Sequence, residues 1–332
     1  MKTKFRASIA LLGALALFAA GCGNDSDSGD KASDSGGGGG GGTIKVGFAQ
    51  TGSESGWRSA NTESMKEAFS KDKGFDLVFN AADNDPAAQI AAVRSFINQG
   101  VDAIVIAPIV EDGWDDVLKE AADAKVPVVL EDRTVSASDD LFASWVGDDF
   151  EKEGETAGKW AAEQYGNTPT KMVVLEGTTG SAPANDRATG FDKAVQGTQI
   201  TKIDSQTGDF TRDGGKKVME GFLQKYGADG IDLVFAHNDD MALGAIEAIE
   251  AAGAKPGTDI NIVSIDGVHD GMQALVDGKI NYIVECNPLL GDSAADLVKK
   301  VLAGDTVEKE NYAVDQAFTQ EDAAKVIDSR AY

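Results

Sequence analysis

Short apolar runs alternate with amphipathic stretches along most of this 332-residue chain. We expect strands at the apolar runs, which are 44–49, 76–80, 103–107, 126–130, 171–175, 200–205, 233–236, 261–265 and 282–284. Helical periodicity lies between them, for example at 61–71, 86–99, 113–124, 152–165, 214–226 and 241–252. Alternating strands and helices predict parallel sheets with helices on both faces. Because nine strands are too many for one small sheet, we expect an α/β fold with two doubly wound parallel-sheet lobes.

The first residues have the layout of an export signal. Three basic residues precede an apolar run at 7–20, which is too short to span a bilayer comfortably. The run ends in Ala-Ala-Gly-Cys, which resembles the lipobox of bacterial lipoproteins, in which the cysteine is acylated and becomes the new N-terminus. We therefore expect a lipoprotein signal peptide at 1–21 and lipidation of Cys22. An uncleaved N-terminal anchor helix is the alternative.

A low-complexity segment follows the predicted lipidation site. Residues 22–42 are mostly Asp, Ser and Gly and end in an unbroken glycine run. A flexible chain of this length has an r.m.s. reach of about 25 Å, enough to hold a domain just off a membrane. If Cys22 carries lipid, Cys286 has no disulfide partner, and we interpret Cys286 as a small buried hydrophobic residue.

The charge of the chain limits its partners. The formal net charge is −25, and 42% of the residues are hydrophobic, as in a soluble protein with a sizeable core. A strongly acidic surface repels phosphate backbones and anionic lipid headgroups. We therefore expect no nucleic-acid partner, whereas a neutral ligand such as a sugar is unhindered.

Polar side chains follow six of the predicted strands, at the end of a sheet where ligands bind in parallel α/β folds. These segments are 50–58, 131–133, 185–187, 237–240, 266–267 and Glu285. Asp, Asn and Arg can each engage two neighbouring sugar hydroxyls, and charge-assisted hydrogen bonds are the strong ones. Trp57 and Phe210 are candidates to cover the apolar face of a sugar ring.

Enzyme motifs are incomplete in this sequence. The two histidines, His237 and His269, have no metal-ligand spacing, and residues 52–56 have Glu where a nucleophile elbow requires Ser. A pair of carboxylates that hydrolyses a glycoside is the remaining enzyme alternative. Neighbouring Arg and amide groups favour ionised, hydrogen-bonding carboxylates instead. We expect a protein that is not an enzyme and has no catalytic residue, metal or cofactor.

Several long motifs resemble those of a known family. They are 46–48, 52–58, 92–96, 99–104, 106–108 with 113–114, 132–133, 186–187, 205–212, 236–241 and 264–268. Through them the chain from residue 43 onward resembles the periplasmic binding proteins of the ribose/galactose type. Within that family it is most similar to the galactofuranose-binding proteins of ABC transporters.

The resemblance implies a type I periplasmic binding protein fold, with two lobes joined by three hinge crossings. The implied N-terminal lobe comprises 43–147 and 286–317, and the C-terminal lobe comprises 148–285 and 318–332. We expect the hinges near 146–148, 285–287 and 317–319. The implied sugar site has a hydrogen-bonding set (Asp132, Arg133, Arg187, Asn238, Asp266), first-lobe contacts (Ser53, Glu54, Trp57, Arg58), a stacking ring (Phe210) and a polar residue at the second crossing (Glu285).

The resemblance also implies a function. It predicts a monomeric, extracytoplasmic protein, lipid-anchored to the cell membrane, that delivers a galactofuranose- or galactose-like monosaccharide to ABC transporter permease subunits. A sugar sensor that presents its ligand to a chemoreceptor or sensor kinase is the alternative. The effector domain of a transcriptional repressor would need an N-terminal helix-turn-helix, where this chain has a signal and a glycine-rich linker. The sequence leaves the sugar and its ring form open.

Overall fold

The computed structural model describes residues 42–330 and 332. The predicted signal peptide, Cys22 and the predicted linker up to residue 41 lie outside the described residues. The strands are β1 (Ile44–Gln50), β2 (Phe75–Ala81), β3 (Ala103–Ile106), β4 (Val128–Glu131), β5 (Ser144–Gly147), β6 (Thr170–Glu176), β7 (Ile200–Thr207), β8 (Leu233–Ala236), β9 (Asn261–Asp266), β10 (Tyr282–Glu285), β11 (Glu310–Tyr312) and β12 (Ala317–Phe318).

Helices connect most of these strands. They are α1 (Gly56–Ala68), α2 (Pro86–Asn98), α3 (Asp115–Asp123), α4 (Phe150–Tyr165), α5 (Ala182–Ala194), α6 (Arg212–Tyr226), α7 (Asp239–Ala251), α8 (His269–Val276), α9 (Gly291–Ala303) and α10 (Gln320–Val326). All nine predicted strands and the six predicted helices are present, with small shifts of their ends. The strands β5, β11 and β12 were not among the nine predicted apolar runs, because they have only four, three and two residues.

The strands form two six-stranded sheets. The first has the order β11-β5-β4-β3-β1-β2 and is parallel throughout. The second has the order β12-β10-β9-β8-β6-β7 and is parallel except for the β10–β12 pair. In both sheets a central strand is entirely buried, as β3 and β8 show, because helices cover both faces. The predicted α/β fold with two doubly wound lobes is therefore confirmed.

The chain crosses between the two sheets three times. The crossings lie between β5 and α4, between β10 and α9, and between β11 and β12. The third crossing therefore spans 313–316, slightly before the hinge that we expected near 317–319. Ala317 pairs with Val284 of β10, so it lies in the second sheet and not in the N-terminal lobe to which we assigned it.

Candidate functional site

A small cavity lies between the lobes, beyond the carboxyl ends of strands from both sheets. Its walls are Glu54, Ser55, Trp57, Arg58, Asp132, Arg133, Pro183, Arg187, Phe210, Asn238, Asp266 and Cys286. Nine of these twelve residues are among the predicted site residues.

The first-lobe wall is a network of buried ion pairs. Arg58 contacts Asp132 Oδ2 through Nη2 at 2.5 Å and Glu54 Oε1 through Nε at 3.1 Å. Arg133 lies beside the same acids, with Nη2 3.6 Å from Glu54 Oε1 and Nε 3.5 Å from Asp132 Oδ2. Since two guanidinium groups share two carboxylates, each side chain is held in place and keeps polar atoms for a ligand.

The charges in this wall support one another. Burial by itself would raise the pKa of Glu54. The positive charges of Arg58 and Arg133 have the larger combined effect and lower this pKa below its ordinary value. Burial, together with the like charge of Arg58, lowers the pKa of Arg133 to about 10. Glu54 is therefore an anion and Arg133 a cation at neutral pH, and charged groups make the stronger hydrogen bonds to hydroxyls.

A second layer of polar residues orients Arg58, and the sequence analysis missed it. Asn61, one turn along α1, accepts hydrogen bonds from Arg58 Nη1 at 3.2 Å and Gln50 Nε2 at 2.9 Å. The Asn61 amide donates to Glu131, which is fully buried. Burial and the neighbouring Asp132 raise the pKa of Glu131 to about 8, so its carboxyl is largely protonated at neutral pH. The spacing of three residues between Arg58 and Asn61 on one helix was the available signal.

Arg187 is the central cation of the second-lobe wall. Its Nε donates to Glu153 Oε2 at 2.7 Å, and its Nη1 donates to the His237 carbonyl at 2.7 Å. Its Nη2 lies 3.9 Å from Asp266 Oδ1. Burial opposes the charge of Arg187, but Glu153 and Asp266 hold its pKa above the ordinary value. Hydrogen bonds therefore hold Arg187 through Nε and Nη1, while Nη2 lies beside Asp266 in the cavity wall.

Asp266 occupies a strained turn at the end of β9. Its φ of 126° is in a region that residues other than glycine rarely adopt. Asp239 Oδ2 holds the turn, because it accepts hydrogen bonds from the amides of Gly267 at 2.8 Å and Val268 at 3.0 Å. Burial outweighs the attraction of Arg187 and raises the pKa of Asp266 well above its usual range.

Three cavity-lining side chains have buried polar atoms without a hydrogen-bond partner among the described residues. They are Glu54 Oε2, Arg133 Nε and Asp266 Oδ2. Unpaired polar atoms in a buried position are costly, and native proteins rarely keep them without a reason. A ligand with several hydroxyl groups can supply both donors and acceptors to these atoms.

The two predicted aromatic contacts line the cavity, one from each side. Trp57 lies in the first turn of α1 and not in the preceding loop, and its Nε1 donates to the Cys286 carbonyl at 2.8 Å. The Phe210 ring faces the Arg133 guanidinium at 5.2 Å. A Cβ atom at Gly177 would lie 1.9 Å from Phe210 Cζ, so only glycine at that position allows this placement of the ring.

Three predicted site residues differ from their expected role as ligand contacts. Asn238 lines the cavity, but its Oδ1 caps α7 and its Nδ2 donates to the Phe210 carbonyl at 3.1 Å, so it positions its neighbours. Ser53 is exposed and does not line the cavity. Glu285 also lies outside the cavity wall, because Arg330 pairs with it at 2.5 Å and the Tyr332 hydroxyl donates to it at 2.8 Å.

The remaining wall residues, Ser55, Pro183 and Cys286, were not predicted. Ser55 is the N-cap of α1, where its Oγ accepts a hydrogen bond from the Arg58 amide at 3.0 Å. Cys286 is buried, as we expected, and it has no disulfide partner among residues 42–330. It is more than a small hydrophobic residue, since its Sγ lies 3.5 Å from Asp148 Oδ2.

Direct contacts join the lobes around the cavity. The Gly56 amide at the start of α1 donates to Asp240 Oδ2 of the second lobe at 2.7 Å. A second pair of contacts joins the lobes at Glu111. Its side-chain oxygen Oε2 accepts a hydrogen bond from Asn185 Nδ2 at 2.5 Å, and its backbone amide donates to the Gly180 carbonyl at 2.9 Å. The lobes are therefore in a closed arrangement.

This architecture is that of a two-lobed solute-binding protein. It has two α/β lobes, three crossings between them and a polar cavity in the closed cleft. Residues 46–306 match the periplasmic binding protein domain family. The chain belongs to this family of periplasmic binding proteins.

Individual relatives are sugar-binding proteins. The galactofuranose-binding protein YtfQ of Escherichia coli (strain K12) is 46% identical over 260 residues, which are 77% of this chain and 81% of that protein. A Mycobacterium smegmatis crystal structure in complex with β-D-fucofuranose is 53% identical, with a TM-score of 0.84, and the match covers 87% of this chain and 95% of the other. The periplasmic binding protein of the arabinose ABC transporter of Shewanella sp. ANA-3, bound to α- and β-L-arabinofuranose, is 46% identical with a TM-score of 0.83, over 87% and 96% of the two chains. These relatives are described as binding proteins or ligand complexes and not as enzymes.

No helix among residues 42–330 is long and apolar enough to cross a membrane.

Proposed function

We propose that this protein binds a monosaccharide in its furanose form, with galactofuranose or a close analogue as the preferred ligand, and delivers it to an ABC transporter permease. The relatives described above support a furanose ligand. The observation that carries the proposal is the closed interlobe cavity, whose Arg58, Arg133 and Arg187 guanidinium groups are paired with carboxylates. Such a wall of fixed donors and acceptors matches adjacent sugar hydroxyls and does not demand a charged ligand.

Calorimetry with a panel of sugars tests the ligand class. The panel comprises D-galactose, D-fucose, L-arabinose, D-ribose and D-fructose. Two ring-restricted analogues then separate the ring forms: 5-deoxygalactose cannot close a pyranose ring, and 4-deoxygalactose cannot close a furanose ring. We expect binding of galactose and 5-deoxygalactose and no binding of 4-deoxygalactose.

Each outcome has a distinct meaning. Binding of 4-deoxygalactose with no binding of 5-deoxygalactose would show a pyranose site. Failure of the whole panel to bind would overturn the proposal of a sugar ligand. Consumption of a bound sugar, or of its methyl glycoside, during the titration would contradict our expectation from the sequence that the protein is not an enzyme.

We further propose that the mature protein acts outside the cytoplasm as a monomer and is tethered to the membrane by lipid on Cys22. The Ala-Ala-Gly-Cys sequence and the glycine-rich segment after it support this part of the proposal. A tether of about 25 Å would let the lobes reach a permease in the same membrane.

Replacing Cys22 tests the anchor. We expect Cys22→Ser to shift the protein from the membrane fraction to the soluble fraction, with no change in sugar affinity, because the cavity lies far along the chain from residue 22. Cell fractionation followed by calorimetry measures both properties. A variant that stays membrane-bound after removal of the signal would refute lipid anchoring and leave the sugar-binding proposal untouched.

A further inference from the structure

Gly177, the residue directly after β6, lies against the tip of the Phe210 ring. A Cβ atom at this position would meet three ring atoms of Phe210 at 1.9, 2.3 and 2.4 Å. The backbone here does not itself require glycine, because the φ of Gly177 is outside the left-handed region that glycine favours. The close approach of the ring is therefore what excludes a larger residue from this position.

Hydrogen bonds hold Gly177 in place. Its amide donates to His237 Nδ1 at 3.4 Å, and its carbonyl accepts from Thr207 Oγ1 at 2.7 Å. The residue is buried, and a close-packed interior resists small displacements of the backbone. A side chain added at Gly177 would therefore displace the Phe210 ring and not the end of β6.

The backbone of Phe210 is also fixed. Asp209 and Phe210 have φ values of 55° and 60°, in the left-handed region. The Asp209 amide donates to Thr207 Oγ1 at 3.1 Å. Asn238 Nδ2 donates to the Phe210 carbonyl at 3.1 Å. Because this turn is held, a contact at Gly177 acts on the side-chain torsions of Phe210.

The cavity is the open side of the Phe210 ring. The ring belongs to the same apolar core cluster as Leu175 and Met241, and it also lines the cavity, where the Arg133 guanidinium faces it at 5.2 Å. A close-packed core resists the ring, whereas the cavity can admit it. Lengthening the contact with a Cβ atom from 1.9 Å to an ordinary distance beyond 3.4 Å takes a shift of roughly 1.5 Å. This shift carries the ring into space that a ligand would occupy.

We propose that Gly177 sets how far the Phe210 ring reaches into the cavity, and thereby limits the size of the exocyclic chain that a bound sugar can carry. Gly177 is a positioning residue, because it acts through Phe210 and is not itself part of the cavity wall. With glycine at this position, the ring leaves room for the two-carbon chain of a hexofuranose. This inference rests on the proposed function, since it requires a sugar in the cavity.

Three sugars of the panel form a size series that tests this inference. D-fucose is D-galactose without its terminal hydroxyl group. L-arabinose has the configuration of D-galactose but lacks the terminal CH₂OH group. In the furanose form the three sugars share one ring and its hydroxyl groups, so they differ only in the exocyclic chain. Calorimetry measures the affinity of each sugar for each variant.

We expect Gly177→Ala to weaken the binding of D-galactose about tenfold more than that of L-arabinose, with D-fucose between them, because overpacking a close-packed site is costly. The matched control is Gly221→Ala, on the exposed face of α6, where an added Cβ atom has open space around it. The control should leave all three affinities unchanged.

A second substitution shows whether the effect passes through the ring. In the double variant that combines Gly177→Ala with Phe210→Leu, the shorter side chain no longer meets the added methyl group. We therefore expect the ratio of D-galactose to L-arabinose affinity to return to that of Phe210→Leu alone. A change that merely destabilised the fold would not be rescued in this ratio.

The outcomes separate this inference from the proposed function. Equal losses for the three sugars, no loss for any of them, or a larger loss for L-arabinose overturns the inference, and so does a double variant that keeps the ratio of Gly177→Ala. Failure of every sugar to bind the native protein overturns the proposed function instead.

If thermal melting shows that Gly177→Ala does not fold, 6-O-methyl-D-galactose decides. Its affinity relative to that of D-galactose should rise in Phe210→Leu, because the shorter side chain leaves more room for the exocyclic chain. An unchanged ratio would overturn the inference.

Discussion

Asp266 brings together a strained backbone, burial and a position beside Arg187. Strain of this kind persists only where the surrounding structure enforces it, and here the Asp239 carboxylate fixes the turn. One carboxyl oxygen of Asp266 has no partner among the described residues. At the residue scale, this is the side chain from which we expect the largest single contribution to sugar binding.

We predict that Asp266→Ala nearly abolishes binding. The variant removes a carboxyl group that lines the cavity beside the buried Arg187 guanidinium, and taking a partner from a buried charged group costs on the order of 2–5 kcal/mol. That is roughly 30-fold to several-thousand-fold weaker binding, at about 1.4 kcal/mol per tenfold. Calorimetry measures the affinity, and thermal melting confirms that the variant is folded.

Lys255→Ala is the neutral control, because Lys255 is exposed in the turn before Pro256. Equal affinities of Asp266→Ala and Lys255→Ala would show that the Asp266 carboxylate has only a structural role.

At the scale of elements, α1 links the two lobes on the edge of the cavity. Its first turn supplies Trp57 and Arg58 to the cavity wall, and its first amide, that of Gly56, bonds to Asp240 of α7. The N-terminus of a helix attracts an anion, so Asp240 is well placed to hold α1 in the closed arrangement. This contact forms without direct involvement of a ligand.

We predict that Asp240→Ala weakens sugar binding by roughly fivefold to tenfold, because one hydrogen bond of about 1–1.5 kcal/mol is lost from the closed state. Asp270→Ala is the matched control. Both acids pair with Arg212, Asp240 at 3.5 Å and Asp270 at 3.0 Å, but Asp270 is exposed and makes no hydrogen bond to α1. Calorimetry compares the two variants. If both bind as tightly as the native protein, the Gly56–Asp240 contact does not stabilise closure.

At the scale of the whole molecule, three crossings permit one lobe to turn against the other and prevent free rotation. The lobes meet through direct contacts such as Gly56–Asp240 and Glu111–Asn185. A ligand reaches the buried wall of the cavity only if these contacts open.

We predict that saturating sugar reduces the radius of gyration of the protein. The ligand bonds to both lobes in the closed state and therefore shifts the population toward it. Small-angle scattering of the mature protein with and without sugar measures the change. The Asp266→Ala variant, which should not bind, provides the reference. A radius that is unchanged at full occupancy would exclude closure by hinge rotation.

Much of this architecture follows from local sequence. Apolar periodicity depends on neighbouring residues, so the nine long strands and their order along the chain were predictable. Most of the cavity wall was predictable from the segments that follow these strands, including Asp132, Arg187 and Asp266. The reason is that a parallel sheet places the carboxyl ends of its strands on one edge.

Only the tertiary structure decided which polar groups meet. Arg330, 45 positions further along the chain, donates a hydrogen bond to Glu285, which therefore does not line the cavity as predicted. Asp148 and Cys286 come from two separate crossings and meet with Cys286 Sγ 3.5 Å from Asp148 Oδ2, and no local pattern relates them. Such contacts depend on how the two lobes pack, and burial then changes the chemistry of each group, so a side chain that looks like a solvated acid in the sequence can hold a proton in the folded protein.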